Sequence, residues 1–161
     1  PMKAIYKSGI FVWVFIIFIQ IFTPSFNYKS VHIQPDLLLV LITFVSLRLS
    51  GDFAIFFAFL NGLLQDFTTQ SSLIGILALS KSLNAYSLHF IQKYNTIWKR
   101  ELKIIFIFLS YIIHNYIYYY LHLGGEIPFL SIGVFTILIQ SLISISIFLV
   151  FEKIFFKSEL L

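Results

Sequence analysis

The chain contains no cysteine, which excludes disulfides, thiolate metal sites and cysteine nucleophiles, and leaves the redox compartment unspecified. Charge is scarce as well. Asp, Glu, Lys and Arg make up 11% of the residues, whereas a typical soluble domain carries about 25%. The sequence also lacks Gly-x-Ser-x-Gly, His-Glu-x-x-His, a phosphate-binding loop and an acidic pair beside a nucleophile, so no enzymatic activity is expected. His32, His89, His114 and His122 do not have metal-ligand spacing, and no metal or other cofactor is expected.

What remains is apolar. Hydrophobic residues make up 59% of the 161 residues, and the mean hydropathy is +0.93, so water is not the main solvent of this chain. The 20 Phe and 9 Tyr sit mostly in apolar stretches of helix length. An outer-membrane barrel would instead show alternating segments of about ten residues. The net charge of +4 does not point to nucleic acid, because no soluble basic domain is present to hold it.

A spanning helix needs about 20 apolar residues, fewer where the bilayer thins or the bundle shields it. This length divides the chain into six spans, roughly 9–22, 36–49, 53–66, 73–91, 102–123 and 129–151, in one transmembrane domain over residues 1–161. The first lacks a small-residue cleavage site and reads as a retained helix. A polar loop with Asn27, Lys29 and His32 follows it, Ser50-Gly51-Asp52 is expected as a polar turn with a glycine near the helix C-cap, and Gly124 to Pro128 as another tight turn. Lys3, Lys7, Arg48, Lys93, Lys99, Arg100, Lys103, Lys153 and Lys157, nine of the 11 basic residues, fall on one side of this arrangement, and only Lys29 falls on the other. By the positive-inside rule, both termini are expected in the cytoplasm of a multi-pass inner-membrane protein.

Charges within spans cost about 2.5–3.5 kcal/mol and need a reason. Asp66 follows Asn61, Gly62 and Gln65 near the outer end of span three, and Lys81 lies about two turns into span four. An Asp66–Lys81 ion pair is the preferred reading; the alternative is that Lys81 snorkels to the interface while Asp66 caps the connecting loop. Ser71, Gly75, Ala78, Ser82 and Ala85 recur at spacings of four and three and form a small-residue stripe on span four. Ala58 and Gly62 offer a matching patch on span three, so close packing of spans three and four is expected, with a partner's helix as the alternative. In span five, Tyr111, Tyr116 and Tyr118 to Tyr120 read as an aromatic belt, and His114-Asn115 as an interhelical hydrogen-bonding pair.

Gln34-Pro35-Asp36-Leu37-Leu38-Leu39, Arg48, Phe59-Leu60-Asn61-Gly62-Leu63-Leu64-Gln65-Asp66, Gly75-Ile76-Leu77-Ala78-Leu79 and Ala85-Tyr86 stand in an order and spacing that resemble the rod shape-determining MreD family, over roughly residues 34 to 90. The resemblance implies a non-enzymatic scaffold of the bacterial cell-wall elongation machinery. Such a subunit associates with a bitopic MreC-type protein and, through it or directly, with MreB, RodA and a class B penicillin-binding protein. Carried over residue by residue, it singles out Pro35 and Asp36 as the start of span two, Gly62 and Gly75 as sites of close packing, and Asp66 as the residue that orders the loop between spans three and four. The fold also looks similar to the six-helix substrate-binding subunits of energy-coupling-factor vitamin transporters. That likeness raises a rival reading, a substrate-binding subunit whose outer polar groups are Asn27, His32, Gln34, Thr68, Thr69, Gln70, Glu126 and the tyrosines of span five.

Overall fold

A computed structural model of the chain describes residues 13–23, 26–28, 31–69, 73–94, 96–122 and 132–156. Among the described residues there are six helices: α1 (Trp13–Phe22), α2 (Leu37–Arg48), α3 (Gly51–Thr69), α4 (Ile76–Lys93), α5 (Arg100–His122) and α6 (Ile132–Phe156). Between α1 and α2, where a plain loop is expected, β1 (Phe26–Tyr28) and β2 (Val31–Ile33) pair antiparallel with Asn27 opposite His32. The two strands let this connection satisfy its own backbone groups. The end of the bundle that carries this ribbon and the α3–α4 connection is called the ribbon end below.

Helix α2 is the buried strut of the bundle. Its 12 residues reach only about 18 Å, well short of a bilayer core of about 30 Å. Its neighbours enclose it: Leu38, Leu39, Val40, Ile42, Thr43 and Ser46 are all buried, packed against α3, α4 and α6. Pro35 precedes its N-cap, Asp36, whose carboxylate accepts from Leu39 N at 2.9 Å. At the other end the cap is Leu49 in extended conformation, not a glycine. Gly51 already belongs to α3, which therefore runs longer than the expected Phe53–Asp66. Gly51 is small for a different reason: a Cβ there would lie 2.7 Å from the His89 ring of α4.

Around this strut, α3 packs on α4, α4 on α5 and α5 on α6. One apolar cluster unites Leu39 and Val40 of α2, Leu88 and Ile91 of α4, Ile107 and Tyr111 of α5, and Ile145 and Phe148 of α6. A second, smaller one joins Ile42, Ala58 and Ala85. Outward, α4 presents Leu79, Leu83, Tyr86 and Phe90, and α5 presents Leu102, Ile105, Leu109 and Ile113, an apolar exterior suited to lipid. Arg100–His122 and Gly133–Ile154 are long and apolar enough to cross a membrane. The expected turn at Gly124 to Pro128 and the stripe residue Ser71 lie outside the described residues.

Candidate functional site

The ribbon end has a buried polar centre. Lys81, fully enclosed on α4, donates to both carboxylate oxygens of Asp36 at 2.8 and 2.6 Å. His114 of α5 brings Nε2 to 4.0 Å from the same carboxylate. One acid thus caps α2, neutralises a cation from α4 and faces an imidazole from α5. The direction of the lysine follows from helix geometry. Side chains lean toward the N-terminus of their helix, and the N-terminus of α4 is at the ribbon end, so Lys81 reaches back up to the level of Asp36.

The expected Asp66–Lys81 ion pair is therefore replaced by Asp36–Lys81, and Lys81 does not snorkel. The carboxylate of Asp66 is otherwise engaged. It accepts from Gly75 N at 2.9 Å, Leu77 N at 3.2 Å and Ala78 N at 3.3 Å. The N-cap of α4 is Gly75, which has no side chain to offer, so an acid from α3 satisfies the free N–H groups of the first turn and complements the positive end of the helix dipole. Asp66 acts on Lys81 only at longer range, as part of the negative field around it.

Gly62 and Gly75 serve the same junction in different ways. A Cβ on Gly62 would fall 2.4 Å from Ala78 Cα and 2.6 Å from both Ala78 N and Leu77 O, so α3 meets the backbone of α4 here and only glycine fits. At Gly75 nothing lies within 4 Å, but φ is +105°; its contribution is conformation and not close packing. Ala78 and Ala85 are buried along the same seam, and Ser82 donates to Ala78 O at 2.7 Å. Asn61, also buried, accepts from Trp13 Nε1 at 2.8 Å and donates to Phe57 O at 2.7 Å, tying α1 to α3. Pro35 lends its carbonyl to Gln20 Nε2 at 3.1 Å while Gln20 Oε1 accepts from Leu37 N at 2.7 Å, so α1 also braces the start of α2.

Further ties radiate from this centre. Thr43 Oγ1 donates to Leu39 O at 3.0 Å, which leaves it to accept from the Tyr111 hydroxyl at 2.7 Å. Asn84 donates to Ser110 at 2.8 Å, Asn115 to Ser141 at 2.9 Å, and Gln140 to the carbonyl of Gln34 at 2.6 Å. Helices α2, α4, α5 and α6 are thereby linked through side chains. At the opposite end, Glu152 of α6 is buried and meets Arg100 of α5 at 3.4 Å.

These ties are hydrogen bonds and ion pairs between helices. Among the described residues, no three His, Asp or Glu gather as metal ligands. Of the ten residues singled out from the sequence, Asp36 and Lys81 come together directly, and Asp66, Gly75, Gly62 and Ala78 form the adjoining junction. His114 as a partner of Asp36, Gln20, and the Thr43–Tyr111 contact were missed. A signal existed for them. Lys103, Ile107, Ser110, Tyr111, His114 and Asn115 recur at spacings of three and four on one buried face of α5, and Gln20 is the one polar residue of α1. Of the outer polar groups behind the transport reading, the side chains of Asn27, His32, Gln70 and Glu126 lie outside those described, while Gln34, Thr68 and Thr69 line a cavity of about 70 Å³.

No curated protein and no solved structure matches the chain. Among models of known families, the one described as rod shape-determining protein MreD matches residues 2–158.

Proposed function

We propose that this chain, which belongs to the rod shape-determining protein MreD family, is a six-span, single-domain scaffold of the bacterial inner membrane that organises lateral cell-wall synthesis without catalysing it. The family gives a role in rod shape determination. The observation that supports the finer reading is the extent of the match, residues 2–158, so that the helical bundle itself is the family module. Partners then meet the chain through helix faces and membrane interfaces. In this reading a bitopic MreC-type protein is the direct partner, with RodA, a class B penicillin-binding protein and MreB reached directly or through it.

The distribution of Lys and Arg supports an orientation with the ribbon end outside and both termini in the cytoplasm. Buried ties at the ribbon end support the scaffold role in a physical sense. A helix with a fully enclosed charge cannot slide or rotate without separating it from its partner, so the ion pair and its neighbours hold the outward faces of α4 and α5 in fixed relation to the α2 strut. A scaffold needs constant faces more than it needs a cavity.

The test is detergent co-purification of the full chain with a coexpressed single-span MreC-type protein. The expected result is stoichiometric capture that survives size exclusion. Absence of capture by a chain that is folded by thermal unfolding would refute the partner assignment.

A further inference from the structure

At the ribbon end, α1, α2 and α3 enclose a cavity of about 70 Å³ whose polar lining is Gln20, Gln34, Gln65, Thr68 and Thr69. Aliphatic side chains, Leu38 and Leu64 among them, complete the lining. Most of the polar groups are already engaged. Gln20 bridges Pro35 and Leu37, and the hydroxyls of Thr68 and Thr69 donate to Gln65 O at 3.0 and 2.9 Å. The Gln65 carboxamide is the exception. It is 8% exposed, and its Oε1 has no hydrogen-bond partner among the described residues. A buried carbonyl oxygen left this way keeps its full desolvation cost unless something else satisfies it.

The lining specifies the missing group. None of its members is ionisable, so a charge entering the cavity would lose its hydration without gaining a counter-charge. A carboxamide offers both donors and an acceptor. An ammonium would bring a charge with no counter-charge, and a phosphodiester has no donor for Oε1, whereas a hydroxyl donates to it without charge. The space suits about two or three water-sized groups, the scale of a glycerol or one edge of a sugar. Polar and aliphatic groups share this lining near the helix ends, a mixture that matches a lipid where its headgroup meets its chains. Resting on the membrane placement above, we propose that this cavity binds the uncharged, hydroxyl-bearing headgroup of a membrane lipid, with Gln65 as its principal hydrogen-bonding residue.

The test measures thermal unfolding of the full detergent-purified chain with phosphatidylglycerol or phosphatidylmethanol of identical acyl chains at equal mole fraction. These lipids share the phosphodiester charge and differ in the glycerol hydroxyls. Phosphatidylglycerol is expected to raise the midpoint further, reflecting about a tenfold preference for one well-made pair of hydrogen bonds. Gln65→Met keeps the volume and leaves no amide to satisfy, so its lipid-free midpoint should equal or exceed the parent's while the difference between the two lipids vanishes. If Gln65→Met does not fold, Thr68→Val and Thr69→Val at the rim should narrow the difference instead. Equal stabilisation by the two lipids, a preference that persists in the variants, or the same gain from free glycerol added to phosphatidylmethanol would overturn the proposal.

Discussion

Lys81→Met removes the cation from a pair whose lysine is fully enclosed and whose carboxylate side chain is 10% exposed. The loss is not only that of the contact. Asp36 stays buried as the N-cap of α2, keeping its bond from Leu39 N and the imidazole at 4.0 Å, but without its neutralising partner. Breaking a buried pair from one side typically costs about 3–5 kcal/mol. For a chain of this length that corresponds to a fall in melting temperature on the order of 10 °C. Asp36→Asn should cost as much, because it strands Lys81 with only the more distant Asp66 and because an amide is a weaker acceptor for the charged donor. The double variant Asp36→Asn/Lys81→Met should recover most of the loss, since neither charge remains and Asn still caps a helix well. Thermal unfolding of the four proteins in one detergent gives the coupling directly as a double-mutant cycle. If Lys81→Met melts within 2 °C of the parent, or the double variant melts no higher than the worse single, the pair does not hold the ribbon end as argued. As a control, Lys81→Glu should not be rescued by Asp66→Lys, which would take the carboxylate away from the first turn of α4.

Gly62→Ala should destabilise strongly, because its methyl would meet the backbone of Ala78 at 2.4 Å and backbone cannot rotate away. Gly75→Ala meets nothing within 4 Å but must adopt φ +105°, so its cost should be limited to about 1–3 kcal/mol of backbone strain. The two are separable by thermal unfolding, with Gly62→Ala the more damaging. Asp66→Ala deprives three N–H groups of α4 of their acceptor and should lower stability by about 2 kcal/mol. Hydrogen exchange should show the loosening first at Gly75, Leu77 and Ala78. Because the parent has no cysteine, single-cysteine labelling of intact cells can test the orientation. A membrane-impermeant maleimide should label Thr69→Cys and not Asp52→Cys; the reverse pattern would invert the topology.

The sequence revealed the helices more readily than their partnerships. Apolar run length and punctuation by Gln34-Pro35 and Arg48 to Asp52 placed the helices roughly, because those signals are local in the chain. Glycine at the α2–α3 break was misread: a C-cap glycine and a glycine kept small by a crossing side chain look alike in sequence, and only the His89 ring distinguishes them. The choice of Asp66 over Asp36 as the partner of Lys81 failed for a related reason. Proximity along the chain favoured Asp66, 15 residues away, over Asp36, 45 residues away. Yet the competing demand on Asp66 was itself readable. A helix that opens at a glycine has no side-chain cap of its own, and the nearest acid is committed to its free N–H groups before any lysine two turns further on.

The same competition explains why the polar groups cluster at one end. Helices α2 and α4 both start there, and each start leaves N–H groups that an apolar environment cannot satisfy. An acid near each start is therefore required for local reasons, Asp36 within its own helix and Asp66 from the preceding one. Two buried carboxylates in one layer need compensation, and the first position on α4 that faces inward and can reach back to them is occupied by Lys81. The ion pair is thus a consequence of where helices begin in a thin bundle with short connections. Beyond that layer the centre is filled instead by Leu88, Ile91, Ile107, Ile145 and Phe148, where the helix interiors satisfy their own backbones, and buried charge returns at the far end, where Glu152 meets Arg100. A bundle built this way is held at the ribbon end by electrostatics and beyond it mainly by packing, and the two together keep its helix faces in register.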